Sequence, residues 1–261
     1  MENLALYIII GATVGIAVGY TRLKSKNSEN IHKTPKRLFP NKWRVILEEK
    51  IEFYNRLDMN GKREFEKRVH IFLLNVNIVG KNTTVTHEDR ILIAAGAVIP
   101  IFGFKNWHYA NLKEVELHPN KFSIPNSSKM ANGLIGWGAM EGKMMLSRKA
   151  LKHGFFDQTD NKNVAIHEFI HILDKQDGKM DGVMKQVMNE IDLMPWLSVI
   201  NRKMKEISID DSSIRDYGAT NEAEFLAVVS EFFFENPERM KLEHPALYNA
   251  LDSFFNKKRQ F

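Results

Sequence analysis

Apolar residues recur every three or four positions along most of the chain after residue 40, which is the spacing of helices that bury one face. Thr86 and Asp89 form a capping-box pattern that starts one such helix, and this helix is expected to end near Pro100. Pro195 is expected to break another helix. The helices predicted from the spacing cover residues 41–57, 61–76, 86–100, 164–173, 183–207, 221–240 and 244–256.

Strands are predicted mostly between residues 75 and 147. Polar and apolar residues alternate over residues 107–117 and 121–124, and a short apolar run over residues 143–147 precedes the helix at 164–173. Helices flank this region on both sides along the chain. The pattern therefore predicts an α+β domain, in which a small mixed or antiparallel sheet is packed by helices.

The N-terminus carries an uncharged apolar run over residues 4–20, followed by the basic sequence TRLKSK. No basic residue precedes the run, so its flanks favour an uncleaved transmembrane anchor with the remainder of the chain in the cytoplasm. The alternative is cleavage and export. We predict an anchor over residues 1–22, a basic juxtamembrane linker over residues 23–38 and a folded domain over residues 39–261.

Three glycines in the predicted anchor, Gly11, Gly15 and Gly19, recur every four residues. Such a stripe lets two membrane helices approach closely, so it makes a homodimer through this face possible. Glycine is also generally common in membrane helices, which is the alternative explanation of the stripe.

Composition limits the chemistry that is available to the chain. Among its 261 residues there is no cysteine, which excludes disulfides, thiolate metal sites and cysteine nucleophiles. The net charge is +5, but the excess of Lys and Arg falls within residues 21–50. No basic groove or nucleic-acid motif is apparent in the remainder, so no nucleic-acid partner is predicted. A metal site in this chain must use His, Asp or Glu.

One apolar helix carries His167, Glu168 and His171. Residues four apart lie on the same helix face, so both imidazoles can reach one tetrahedral Zn²⁺. The glutamate beside the first histidine can then take a proton from water at the open position of the metal. This is the H-E-x-x-H pattern of metalloproteases. Chance occurrence and a structural role for the histidines are the alternatives, but three buried polar groups without partners are costly.

A third protein ligand is required. The carboxylates that could supply it are Asp174, Asp177, Glu222, Glu224 and Glu231. Glu224 and Glu231 lie seven apart on one face of an apolar helix, and spacing favours Glu224, with Glu231 as runner-up or as an acceptor for an imidazole. Asp174 follows His171 by three residues, which suits a carboxylate that accepts a hydrogen bond from an imidazole. Tyr217 precedes the helix and could donate to an oxyanion, although it could equally be an ordinary packed tyrosine.

Several separated stretches resemble, in the same order, the Mlc titration factor A family of zinc-dependent peptidases. They are LIAAGAVIPIFGFKNWHY, MMLS, NVAIHEFIHILDKQDGKMDG and YGATNEAEFLAVVSEFFFENPE. The resemblance implies a zincin-like fold, related in its core to the catalytic domain of anthrax lethal factor. It also implies one Zn²⁺ on His167, His171 and Glu224, with Glu168 as general base and Tyr217 near the transition state.

The expected function is hydrolysis of peptide bonds in a peptide or protein substrate. The strand at 143–147, with Met144, Met145 and Leu146, is expected to offer its backbone to an extended substrate. The rival is a membrane-tethered protein that sequesters a transcription factor or another partner with little catalysis. The family's best-known member is a soluble cytosolic protein that binds a sugar-responsive repressor, and the predicted anchor departs from that role.

Overall fold

The computed structural model describes residues 33–104, 107–185, 188, 190–208 and 212–256, and the residues from Thr34 onward form one unit. The predicted anchor with its membrane contact at residues 4–20, its glycine stripe and most of the predicted linker lie outside the described residues. Within the described ranges, no helix is both long and apolar enough to cross a bilayer. The anchor therefore stays a prediction.

Helices and a small sheet alternate along the chain, as the sequence predicts. In chain order the elements are α1 (Asn41–Lys50), α2 (Glu52–Asn55), α3 (Met59–Asn75), β1 (Asn77–Gly80), α4 (His87–Ile101), β2 (Glu114–His118), β3 (Phe122–Ser123), β4 (Met130–Ala131), β5 (Gly133–Ile135), β6 (Lys143–Ser147), α5 (Arg148–Phe156), α6 (Val164–Asp174), α7 (Glu190–Ser208), α8 (Glu222–Glu235), α9 (Pro237–Glu243) and α10 (Pro245–Phe255). Short 3₁₀ turns lie at Gly138–Met140, Lys175–Asp177 and Asp216–Ala219. The α+β prediction is confirmed.

The main sheet has four strands in the order β1-β2-β6-β5. β1, β2 and β6 are parallel to one another, whereas β5 is antiparallel to β6, so the sheet is mixed. β3 and β4 form a separate antiparallel pair. The predicted substrate strand at Met144, Met145 and Leu146 is β6, which is paired on both sides and has no free backbone edge. That prediction was wrong, because β5 closes over β6 and becomes the edge strand itself.

Two differences between the predicted and observed helices lie at prolines. The helix predicted over residues 221–240 divides at Asn236, because Pro237 lacks an N–H and occupies the first turn of α9. The predicted break at Pro195 was wrong, and α7 continues through it. Pro195 stands six residues into α7, where it removes a single helical hydrogen bond. Trp196 holds this turn in place, since it is buried and its indole N–H donates to the carbonyl of Gly182 at 2.8 Å.

The helix that carries the two histidines, α6, packs against α4, α8 and the edge strand β5. Asn163 caps its first turn by accepting a hydrogen bond from the N–H of Ile166 at 3.2 Å. Gly96 lets α4 approach α6 closely, because a Cβ at this position would lie 2.5 Å from the Cβ of Ala165. This close contact fixes α6 two residues before His167.

Substitution of Gly96 by alanine should therefore lower the free energy of unfolding. The added methyl must push α4 and α6 apart, at a cost of about 1–3 kcal/mol, of which alanine's better helix propensity recovers about 1 kcal/mol. Urea denaturation followed by circular dichroism measures the change. Gly61→Ala in α3 is the matched control, since the atoms nearest to its Cβ are side-chain atoms of Asp58 and Leu57 at 3.1 and 3.2 Å. Equal effects at both positions would contradict the close-contact explanation.

Candidate metal centre

His167 and His171 lie on one face of α6, with their ring centroids 4.7 Å apart and their planes nearly perpendicular. The Nε2 atoms of the two rings are 3.1 Å apart. His171 is buried and His167 is mostly buried. The helical spacing read from the sequence thus brings the two imidazole nitrogens to a common point.

Glu224 completes a triangle with these two nitrogens. Its Oε2 lies 3.1 Å from Nε2 of His167 and 3.4 Å from Nε2 of His171. Glu224 stands in the first turn of α8, where Asn221 caps the helix by accepting from the N–H of Glu224 at 2.9 Å. Of the five carboxylates considered as third ligand, Glu224 is the one that the fold brings to the Nε2 atoms of both histidines.

The triangle has the dimensions of a tetrahedral metal site. Ligand atoms about 2.0–2.1 Å from a tetrahedral Zn²⁺ stand roughly 3.3 Å from one another. The three observed separations fall close to this value. Two imidazoles and one carboxylate are also a ligand set that catalytic zinc uses, with the fourth position left for water. The residues present therefore fit a divalent metal ion.

The electrostatics of the triangle point the same way. Burial opposes charge on His167, but the carboxylates of Glu231 and Glu224 outweigh it and raise the pKa of this histidine to about 10. Burial likewise opposes charge on Glu224, but hydrogen bonds from the two histidines lower its pKa well below the usual value. The carboxylates thus favour positive charge at this point, which a metal ion can supply in place of a proton.

Glu231 lies behind His167 rather than in the triangle. Its Oε1 is 2.8 Å from Nδ1 of His167, and its Oε2 accepts from the N–H of Asn163. It is 2% exposed. A carboxylate in this position fixes the ring orientation and the tautomer of a ligating histidine. Of the two alternatives that the sequence left open for Glu231, this position is that of the acceptor for an imidazole and not that of runner-up metal ligand.

The role predicted for Asp174 was wrong. Its two oxygens accept from the N–H groups of Gly182 and Val183 at 2.9 and 3.0 Å, so they hold the loop after α6 and bind no imidazole. Burial raises the pKa of Asp174 to about 6. The Nδ1 atom of His171 is buried and has no hydrogen-bond partner among the described residues.

Glu168 lies beneath the edge strand β5. Its side chain is 6% exposed, and burial raises its pKa although the two histidines oppose the shift. A Cβ on Gly133 would lie 2.3 Å from Oε1 of Glu168. Gly133 is therefore required for the carboxyl group to lie against the strand. Nothing in the local sequence distinguishes this glycine from its neighbours, and we did not predict its role.

Tyr217 lies at the open side of the site, on the 3₁₀ turn Asp216–Ala219. Its ring centroid is 6.0 Å from that of His167, and the side chain is 52% exposed. Burial, the charge of Glu224 and a hydrogen bond with that carboxylate raise the pKa of Tyr217 to about 12. The phenol thus remains a hydrogen-bond donor at neutral pH and stands beside the predicted metal ligand.

Comparison with known proteins assigns a family to this arrangement. Residues 22–256 match the family described as glucose-regulated metallo-peptidase M90, which is most of the chain. The chain belongs to this family. It is 26% identical to Uncharacterized protein slr2042 of Synechocystis sp., over 97% of this chain and 95% of that protein. It is 27% identical to Mlc titration factor A of Yersinia pestis and of Yersinia pseudotuberculosis, over 54% of this chain and 57% of those proteins.

Membership of the M90 family confirms the resemblance to Mlc titration factor A that the sequence motifs suggested. It also makes the chain a member of a metallopeptidase family, in agreement with the His₂Glu triangle. The relatives named Mlc titration factor A match about half of the chain, whereas the Synechocystis protein matches nearly all of it.

A further buried carboxyl group, that of Glu235, lies one turn beyond Glu231 on α8 and was not predicted from the sequence. It is 7% exposed, and neither of its oxygens has a hydrogen-bond partner among the described residues. Burial, reinforced by the charge of Glu231, raises the pKa of Glu235 to about 9, well above the usual value for a glutamate. Glu235 is thus a neutral acid in the folded protein at neutral pH.

Glu235→Gln should stabilise the protein increasingly as the pH rises. The folded-state pKa lies above the unfolded-state value, so the stability that Glu235 contributes is present below pH 4.5 and is lost as the pH rises towards 9. Glutamine does not titrate. Urea denaturation at pH 5 and pH 8 should show a difference between variant and wild type that grows by on the order of 1–3 kcal/mol. Glu238→Gln, at an exposed position of α9, should show no such growth.

Proposed function

We propose that the chain is a zinc-dependent peptidase, with Zn²⁺ held by His167, His171 and Glu224. The observation that carries the proposal is the triangle of ligand atoms, whose sides of 3.1, 3.1 and 3.4 Å suit tetrahedral zinc. The buried carboxyl group of Glu168 beside it is the second support. A purely structural site has no need of such a group.

When bound, zinc supplies Lewis acidity that lowers the pKa of a water molecule and polarises the substrate carbonyl. Glu168 is the general base in this proposal. It takes a proton from water and passes it to the departing amine. Its burial suits this exchange, because burial raises the pKa of the carboxyl group towards neutral pH. A group whose pKa lies nearer the working pH can both accept a proton and return it.

Tyr217 donates a hydrogen bond to the oxyanion that forms as water attacks the carbonyl. Its phenol keeps its proton at neutral pH, and its half-exposed position leaves it accessible to substrate. Donors placed where charge develops contribute more to catalysis than donors that bind the ground state. Tyr217 lies near Glu224 and His167, so it can act at the substrate carbonyl only if that carbonyl lies beside the triangle.

The edge strand β5 is the proposed binding site for an extended substrate, in place of β6. Gly136 donates its N–H to the carbonyl of Lys143, and Asn132 accepts from the N–H of Ser147. In an antiparallel pair such bonds alternate along the strand, so Gly133 and Ile135 turn their N–H and C=O groups to the open edge. A peptide chain can add there as a further strand, close to Glu168.

A protein-binding role is the second candidate. The matching relatives from Yersinia are named for titration of Mlc, which supports capture of a protein partner as the alternative role of this chain. Zinc-dependent turnover of peptides by the purified chain separates catalysis from capture.

We also propose that residues 4–20 anchor the chain in a membrane, with the domain in the cytoplasm. Fractionation of cells that express the full chain tests this proposal.

Glu168→Gln should retain zinc and lose peptidase activity. The amide keeps the size of the side chain but cannot take a proton, so kcat should fall by about 10²–10⁴-fold. Metal analysis and hydrolysis of an unstructured protein such as casein, with and without a chelator, measure both effects. Glu222→Gln, at an exposed position two residues before Glu224, is the matched control and should retain activity.

Two results would decide against this mechanism. Turnover by Glu168→Gln comparable to wild type would remove the general base from the proposal. Zinc content that is unaffected by His171→Ala and Glu224→Ala would remove the metal site itself. Chelator-resistant hydrolysis would point to a contaminating enzyme.

Gly133→Ala should lower activity without removing the metal. The new methyl group occupies the space of the Glu168 carboxyl group and must displace either the carboxyl group or the strand. Misplacement of a catalytic group by about 1 Å costs on the order of 10²-fold in rate. Zinc content should remain that of wild type, because the three ligands are not touched. Unchanged kcat/KM would show that Glu168 need not lie against β5.

A further inference from the structure

Arg215 stands at the junction of three parts of the site. It immediately precedes the 3₁₀ turn Asp216–Ala219, and its carbonyl accepts from the N–H of Gly218 at 2.9 Å. Its guanidinium, mostly buried, donates through Nη2 to Oε1 of Glu231. The backbone of Arg215 thus belongs to the turn that carries Tyr217, while its side chain reaches into α8.

The oxygen that Arg215 contacts is the same one that holds His167. Oε1 of Glu231 lies 2.8 Å from Nδ1 of His167, so imidazole and guanidinium share a single acceptor. Tyr217, two residues after Arg215, places its ring 6.0 Å from the ring of His167. Arg215 and Glu231 thus connect the 3₁₀ turn that carries Tyr217 to His167 on α6. The ring of Tyr217 lies near that same histidine.

We propose that Arg215 is a positioning residue that fixes Tyr217 relative to His167 and thereby relative to the metal. The inference rests on the proposed function, because Tyr217 matters only if it meets a substrate. Tyr217 is half exposed, so the position of its ring depends on the turn that carries it and on its hydrogen bond with Glu224. The ion pair supplies a rigid connection from that turn to the residue that orients His167.

Charge explains why an arginine suits this position. Glu231 is almost fully buried, and a carboxylate so far removed from water needs a cation beside it. The planar guanidinium also fixes direction, which a single ammonium group does not. Lysine at this position should therefore restore the charge but only part of the geometry.

A simple stabilising ion pair is the competing explanation. In that case, loss of Arg215 would lower stability and alter kcat independently of Tyr217. A positioning role predicts a different result. The rate lost with Arg215 should be the rate that Tyr217 provides, so the two substitutions should not be additive.

The test uses the full chain and the variants Arg215→Gln, Arg215→Lys, Tyr217→Phe and the double variant Arg215→Gln/Tyr217→Phe. We expect Arg215→Gln to lower kcat about tenfold or more, with the double variant within about twofold of Tyr217→Phe. The kcat of Arg215→Lys should lie between those of wild type and Arg215→Gln. All rates are compared at saturating zinc, because Glu231 loses its partner in Arg215→Gln and the zinc dissociation constant, measured by competition with a chelator, should rise. Multiplicative losses of kcat in the double variant would overturn the proposal.

Hydrogen–deuterium exchange of the zinc-loaded protein gives a readout that does not require catalysis. Arg215→Gln should increase uptake over residues 215–219 while leaving α1 and α3 as in wild type. Arg202→Gln, which removes an exposed ion pair with Glu206 in α7, is the matched control and should leave the turn unchanged. Unaltered exchange at 215–219 in Arg215→Gln would exclude the positioning role, even if the wild type cleaves no peptide. Failure of the wild type to cleave peptides would instead count against the proposed function alone.

Discussion

The site depends on one constraint, which is that the charges of its buried carboxylates must be balanced where little water reaches them. Glu168, Glu224 and Glu231 are brought close to His167, and Glu168 and Glu231 are almost fully buried. Carboxylates removed from water require compensation. Arg215 supplies one positive charge, and the carboxylates around His167 raise the pKa of its imidazole, which favours a second positive charge there. A divalent ion between His167, His171 and Glu224 meets the same demand without protonating a ligand.

The fold satisfies this constraint by bringing backbones close together at small residues. Gly96 lets α4 approach α6, and Gly133 lets the edge strand β5 lie against Glu168. The helix α6 is thus held on one side by α4 and covered on another by the edge strand β5. The same contact that buries Glu168 brings the proposed substrate strand next to it.

Features set by spacing within one helix could be predicted from the sequence, and features set by contacts between distant segments could not. His167 and His171 lie together because they are four residues apart. Glu224 and Glu231 both reach His167 because they lie seven residues apart on one face of α8. Asp174 has the right spacing for an imidazole, but the amides of Gly182 and Val183 are closer partners, and the sequence does not show where that loop folds. The edge strand was misassigned for the same reason, since strand order depends on the topology of the sheet.

The state of Glu168 bears on the choice between catalysis and partner capture. A carboxyl group that is 6% exposed and has a raised pKa lowers stability at neutral pH relative to an apolar residue of similar size. A metal site that only supports the fold, or a surface that only binds a partner, gains nothing from this arrangement. Hydrolysis gains from it, because a base that is held beside a metal ion and shielded from bulk water can take a proton and return it within one turnover. The position of Glu168 beneath Gly133 is therefore better explained by chemistry than by binding alone.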